Sequence, residues 1–411
     1  MSLLDKFSTI AGRLDAIMLD GNDPFNVTID EVKSASEVVI NGRDIIMAGS
    51  NNYLGLTFDP DCIEAGREAL ATHGTGTTGS RIANGTYYGH QDLENNLAKM
   101  MECNSALIYP SGYQANLGVI AALAGKGDTI LIDADCHACI YDGCLMSGAT
   151  IVRFRHNSPE DLDRRLQQLE GDGSNKLIIV EGLYSMFGDT APLKGFVDIK
   201  RKHNAFLYVD EAHSLGVFGD HGRGLAEQEG VAHDVDFIVG TFSKSLGSIG
   251  GFCVSNLPEF AYMKFISRPY MFTASISPAT IGTVNAAIDK IKNHPELREK
   301  LWSNAQRLHD GLRAAGLKLC APASPIISVE MPDQESAIIG WNQLLEEGIY
   351  VNLAIPPGTP NSKSLLRSSI SAAHTNDQID QIITAYTKVV KAAPISYEKE
   401  QKAGLVSAAT K

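Results

Sequence analysis

The stretch Thr241-Phe-Ser-Lys244-Ser-Leu-Gly-Ser-Ile-Gly250-Gly251 lies between two apolar runs, residues 237–240 and 252–255. It places a lysine just past a strand, beside two small hydroxyls, with a glycine-rich turn following. A lysine so placed can anchor an aldehyde cofactor as a Schiff base while Thr241 and Ser243 hold that cofactor's phosphate. A lone Ser-Lys pair is more often a surface turn. The stretch Asp210-Glu-Ala-His213-Ser-Leu-Gly216, after the apolar run 205–209, overrides that reading. A carboxylate closing a buried strand, with a histidine three residues on, is what the pyridine ring of pyridoxal 5'-phosphate (PLP) requires. Together the two stretches point to a PLP site.

The run 237–240 belongs to a longer series. Apolar runs at 106–109, 129–133, 150–154, 176–181, 205–210 and 237–240 alternate with helix-length segments, and a seventh follows at 252–255. Near-continuous apolar strands separated by helices predict a mainly parallel seven-stranded α/β sheet covered on both faces. The link from 240 to 251 is too short for a parallel crossover, so the seventh strand is expected to run antiparallel to the sixth. Ligands gather at the carboxyl ends of such strands. Ser111, 133–137, 181–185, 210–213 and 241–244 all fall at that edge.

Each position has a chemical reason. Ser111-Gly112-Tyr113 opens a helix after a strand, where free N–H groups suit a phosphate and Gly112 permits close approach. Asp210 keeps the pyridine nitrogen protonated, and His213 is placed to bond the ring's phenolate oxygen. His137 can stack on the ring face, and Ser185 lies in the loop after the fourth strand. Lys244 anchors the cofactor and then serves as general base. Arg367, on a later strand, is a candidate for a substrate carboxylate. Cys136, His137, Cys139 and Cys144 could be read as metal ligands, but no second ligand pair follows at the needed spacing, and no metal is expected.

Around this region, the chain begins with Leu3, Leu4, Phe7, Ile10, Leu14, Ile17 and Met18 at helical spacing. That pattern predicts a helix packed on the body of the protein or on a partner subunit. Weak inner-membrane association is the second reading, and the polar face is not notably basic. Asn41-Gly42 between alternating runs signals a hairpin. Helices are expected over 61–73, 90–101, 297–315, 334–347 and 375–391, and strands over 326–331, 349–352 and 365–370. The implied domains are an N-terminal helix and hairpin over 1–48, a large PLP-binding domain over 49–285, and a small α+β domain over 286–395. A flexible tail over 396–411 follows.

The chain has 411 residues and a net charge of −13, which argues against nucleic acid as a partner. It lacks a signal-peptide pattern and any apolar run of membrane-spanning length, so a cytoplasmic location with reduced cysteines is expected.

Over nearly its whole length the chain resembles the α-oxoamine synthases, PLP enzymes of fold type I (aspartate aminotransferase-like). The resemblance rests on Asn51-Asn-Tyr-Leu-Gly-Leu56, Ser111-Gly-Tyr-Gln-Ala-Asn116, Asp133-Ala-Asp-Cys-His137, the 210–216 stretch and Thr241-Phe-Ser-Lys-Ser245. Gly74-Thr-Gly-Thr-Thr-Gly-Ser-Arg81, Arg268-Pro-Tyr-Met-Phe-Thr-Ala-Ser275, Pro356-Pro-Gly-Thr-Pro360 and Ser371-Ala-Ala-His-Thr375 resemble the serine-using branch. The resemblance implies decarboxylative condensation of L-serine with a long-chain acyl-CoA, releasing CO2 and CoA. It also implies a homodimer with active sites at the interface, where Thr273 reaches the partner's cofactor phosphate. Asn52 and His137 would place the serine carboxylate. Relatives can carry an arginine before the Pro-Pro pair; Ile355 stands there, so either Arg367 or His137 carries more of that role or the substrate differs. Glycine- or alanine-using synthases, synthases fed by an acyl-carrier protein, and aminotransferases or lyases on the same fold are the competing readings. A non-enzymatic subunit, of the lysine-less kind, is the third reading, and the presence of Lys244 argues against it.

Overall fold

The computed structural model describes residues 2–15, 17–18 and 22–389. The expected tail over 396–411 and the last residues of the expected 375–391 helix lie outside them. The described residues form two compact units. One takes in residues of Met1–Ser50, Met186–Gly188 and Trp302–Lys411; the other is Asn51–Ser185 with Asp189–Leu301.

The second unit holds the seven-stranded sheet. Its strands are β1 (Ser105–Tyr109), β2 (Thr129–Asp133), β3 (Thr150–Phe154), β4 (Lys176–Glu181), β5 (Phe206–Asp210), β6 (Phe237–Thr241) and β7 (Gly251–Ser255). Their order across the sheet is β1-β7-β6-β5-β4-β2-β3. Strands β3, β2, β4, β5 and β6 pair in parallel, while β7 runs antiparallel to both β6 and β1. The short link after β6 thus reverses the chain, as its length requires. Ile130, Leu131, Ile132, Ile178, Ile179, Val180, Leu207 and Val209 are all fully buried, the mark of strands covered on both faces. Between them run the helices Gly112–Leu123, Ala138–Ser147, Pro159–Gln167 and Leu193–His203.

In the first unit, Glu37–Ile40 and Arg43–Met47 form the expected hairpin, with Asn41 and Gly42 both at positive φ as a tight primed turn demands. Arg43–Met47 also pairs in parallel with Ile349–Tyr350. A second sheet joins Ile326–Met331, Ser364–Ser369 and Asn352–Ala354. The single strand expected over 349–352 is therefore divided between two sheets, and buried Val351 sits at the division. Trp341, Leu344, Leu308, Leu312, Leu366, Ile382 and Tyr386 centre the core, each burial contributing roughly 1.5–3 kcal/mol. The Trp341 indole N–H donates to the Val351 carbonyl at 2.9 Å.

The amino-terminal helix forms over Asp5–Asp15. Leu3, Leu4, Phe7, Ile10 and Leu14 are exposed, whereas Ile17 is buried in the first unit's core. Among the described residues no helix is long and apolar enough to cross a membrane.

Candidate active site

The carboxyl edge of the large sheet brings together most of the residues nominated from sequence. Asp210 closes β5 and is buried. Its Oδ1 accepts the Ala212 backbone N–H at 2.8 Å, and its Oδ2 accepts from Asn116 Nδ2 at 2.7 Å. Asn116 is itself held, because the Tyr208 hydroxyl donates to its Oδ1 at 2.7 Å. Asn116 lies one turn into the helix that begins at Gly112, so helix, strand end and Asp210 form one buried network.

His213 sits in the turn after β5, with Nδ1 2.7 Å from the buried Tyr53 hydroxyl. Tyr53 belongs to the 50–56 loop, which also carries Asn52. The Asn52 Nδ2 donates to Thr57 Oγ1 at 2.7 Å, while its Oδ1 is buried and accepts no hydrogen bond from the described residues.

Two elements build a cradle for an anion. Ser111 caps the helix Gly112–Leu123, its hydroxyl accepting the Gln114 N–H at 3.1 Å. The N–H groups of Gly112 and Tyr113 begin the helix and point out of it. Thr241, ending β6, donates to the Gly250 carbonyl at 2.8 Å and lies 2.9 Å from the Ser243 hydroxyl. Strand β7 comes so close to this helix start that a Cβ on Gly251 would meet Gly112 Cα at 2.6 Å. The Gln114 side chain reaches Thr273 Oγ1 at 3.2 Å, adding a further hydroxyl beside the cradle.

Lys244 is half-buried in the turn between β6 and β7. Its ammonium acts electrostatically on His137, Cys139 and Glu181, and so does the Asp210 carboxylate. His137 caps the helix Ala138–Ser147, with its own Nδ1 accepting the Cys139 N–H at 3.2 Å. Loss of solvation lowers its pKa, Asp210 opposes that, and Lys244 adds to it. Glu181, at the end of β4 and in register with Asp210, accepts the His137 backbone N–H. Burial, then the neighbouring Asp210 charge, pushes the Glu181 carboxyl well above the ordinary range, while the His137 N–H and Lys244 work against that rise.

Ser185 is half-buried in the loop after β4. Tyr113 turns its hydroxyl to Asp142 on the next helix. Arg367 belongs to the other unit, buried on the middle strand Ser364–Ser369, with Nη1 donating to Ser369 Oγ at 2.9 Å.

Sequence reading gave Asn116 no role and passed over His156. The His156 ring lies between Asp133 Oδ1 at 2.8 Å and Asp189 Oδ2 at 2.7 Å, edge-on to Tyr184. Desolvation disfavours its charge, but the two carboxylates win and carry its pKa up to about 10. The resulting imidazolium ties the 133–137 loop to Asp189. The 74–81 and 268–275 segments, both singled out from sequence, bond to each other. Thr77 and Ser275 hydroxyls meet at 2.6 Å, and Arg81 forms a buried two-point pair with Glu94 at 2.8 and 3.0 Å while lying over the Tyr270 ring.

These residues fit PLP. A buried carboxylate held by two donors suits a pyridinium, a helix start with adjoining hydroxyls suits a phosphate, and a lysine on the hairpin between them suits the aldehyde.

Comparison with known proteins agrees. The aminotransferase class I and II family profile matches residues 43–385. The chain is 53% identical to a serine palmitoyltransferase of Caulobacter vibrioides, over 95% of this chain and 96% of that one. It is 48% identical to a serine palmitoyltransferase of Sphingomonas paucimobilis, over 96% and 94% respectively. Its fold superposes with a TM-score of 0.94 on a high-resolution structure of SPT with PLP as an internal aldimine, at 47% identity, covering 96% of this chain and all of that one. The chain belongs to the aminotransferase class I and II family, and within it to the α-oxoamine synthases, as a PLP-dependent acyltransferase of fold type I.

Proposed function

We propose that this enzyme condenses L-serine with a long-chain acyl-CoA, releasing CO2 and CoA and leaving a 3-keto long-chain amino alcohol. The observation that carries this is the carboxyl-edge constellation of Lys244, Asp210 and His137, in a chain about half identical to serine palmitoyltransferases over nearly all its length.

When bound, PLP supplies an electron sink for a carbanion at the amino acid's α-carbon. Asp210, fixed by Asn116 and the Ala212 N–H, holds a proton at the pyridine nitrogen. Ser111, Gly112, Tyr113, Thr241 and Ser243 hold the phosphate, and Ser185 borders it. His213, held at Nδ1 by the Tyr53 hydroxyl, would bond the phenolate oxygen through its other ring nitrogen. Lys244 would supply the amine that anchors the cofactor aldehyde and the base for the α-proton. His137 would cover the ring face and, with Asn52, receive the serine carboxylate; Arg367 stays a proposed carboxylate ligand on the strength of the family resemblance. Asn52 Nδ2 uses one of its two hydrogens on Thr57, and the other is the donor proposed for the substrate.

The assembly is proposed to be a homodimer with Thr273 at the interface. Tyr262, Phe265, Ile266 and Phe272, next to Thr273, are all more than half exposed in the single chain, an apolar run of the kind a partner covers. A cytoplasmic location is proposed from the seven free thiols. The organisation into an N-terminal segment, a PLP-binding domain and a small C-terminal domain is retained as part of the proposal.

Visible absorption of the purified protein, titrated with serine, glycine and alanine and then palmitoyl-CoA, tests the reading. Wild type should show a cofactor band that Lys244→Ala lacks, and serine should shift it. Palmitoyl-CoA added next should release CO2. A tighter response to glycine or alanine would move the substrate within the family. Absence of any band with PLP added would refute the role of Lys244.

A further inference from the structure

We propose that Cys139 is the positioning residue that holds His137 in its neutral, Nε2-protonated form, by donating its thiol hydrogen to His137 Nδ1. This rests on the role of His137 proposed above. The argument begins with the helix cap. His137 Nδ1 accepts the backbone N–H of Cys139 at 3.2 Å, and a ring nitrogen that accepts an N–H carries no hydrogen of its own. The same Nδ1 lies 3.0 Å from Cys139 Sγ. Two heavy atoms at that separation need one hydrogen between them, and only the thiol can supply it. Burial keeps that hydrogen in place: Cys139 is 3% exposed, and desolvation, then the Asp210 and Glu181 charges, push its thiol pKa far up.

Asn116, whose Nδ2 donates to Asp210 at 2.7 Å, works against this rise in the thiol pKa, as does Lys244, but burial is the larger effect. The charges facing His137 are Asp210 and Asp142, which favour its cation, and Lys244, which opposes it. Glu181 accepts the His137 backbone N–H. Two donors on Nδ1 leave no place there for a second proton. The imidazole then meets a substrate carboxylate as a neutral N–H donor at Nε2.

The test is 15N NMR of histidine-labelled full-length protein, without PLP and with it, the His137 signals being identified by their loss in His137→Asn. Wild type should show a bare Nδ1 and a protonated Nε2 in both states. Cys139→Ala should raise the His137 titration midpoint by roughly half to one pH unit, the loss of one modest hydrogen bond to the neutral ring. Cys139→Ser, which keeps a donor in place, should restore the wild-type midpoint. A hydrogen on Nδ1 in wild type, or a Cys139→Ala midpoint equal to wild type, overturns the proposal. If Cys139→Ala does not fold, the wild-type tautomer and the Cys139→Ser titration still decide it. Because the tautomer is read without cofactor, its failure is distinct from absence of the PLP band, which would instead refute the cofactor role of the site.

Discussion

Asn116 is where the arrangement around Asp210 can be probed most sharply. Asn116→Ala removes a 2.7 Å bond to the carboxylate and leaves the buried Tyr208 hydroxyl without its acceptor. A hydrogen bond to a charged group is worth about 1.5–3 kcal/mol. At 1.36 kcal/mol per decade, that predicts PLP affinity lowered by roughly 10- to 150-fold. Asn116→Asp is expected to be worse. Two carboxylates about 2.7 Å apart repel by roughly 6 kcal/mol at an effective dielectric of 20, so one takes up a proton near neutrality. Asp210 then no longer answers the pyridinium with a full charge. Equilibrium titration of the apoenzyme with PLP, followed by visible absorption, measures both variants. An Asn116→Ala affinity within threefold of wild type, with the fold intact by circular dichroism, would refute the idea that Asn116 holds Asp210 in place.

Other outcomes follow from the same geometry. His156→Asn should destabilise the protein in a pH-dependent way. The folded pKa of about 10 lies above the unfolded 6.5, so the stabilisation from the imidazolium is complete below about 6.5 and disappears as pH rises through 10. Its ceiling is about 5 kcal/mol, and urea unfolding of both proteins at pH 6, 8 and 10 should show the gap closing. A gap that stays constant with pH would sink the charged clamp. Gly251→Ala should weaken PLP binding on the order of tenfold, because its Cβ would meet Gly112 N at 2.7 Å and push β7 off the helix start. Gly125→Ala, with no atom within 4 Å of its Cβ, is the control and should leave binding unchanged. Arg81→Met should cost about 3–5 kcal/mol in urea unfolding by leaving Glu94 buried without its cation, while adding Glu94→Gln should recover much of that loss. A double variant as unstable as the single would count against the pair.

The strands could be read from sequence because each is a short, nearly unbroken apolar run, and burial on both faces demands that pattern. The antiparallel course of β7 followed from chain length alone. Lys244, Asp210 and His137 could be nominated because each ends a strand or follows one directly. Asn116 could not, since its partner lies 94 residues away and the two meet only through sheet order. The available hint was a buried amide on an otherwise apolar helix, at one turn from Gly112. His156 was out of reach for the same reason, with its carboxylates 23 and 33 residues distant. The division of 349–352 between two sheets reflects which strands lie on each side, information no local window contains.

The parallel pairing of Arg43–Met47 with Ile349–Tyr350 has a consequence for how the chain is made. A ribosome adding about 5–20 residues per second takes some 15–60 seconds to travel the roughly 300 residues between these partners. During that interval the hairpin Glu37–Ile40/Arg43–Met47 exists without the strand that closes its sheet, and Val38, Ile40 and Ile45 wait without the core they later enter. The large sheet, by contrast, is complete once Ser255 has emerged. Until the Ile349–Tyr350 strand is made, the nascent protein therefore carries an unpaired, apolar strand edge, and during that time chaperones, or a neighbouring nascent copy, have access to it.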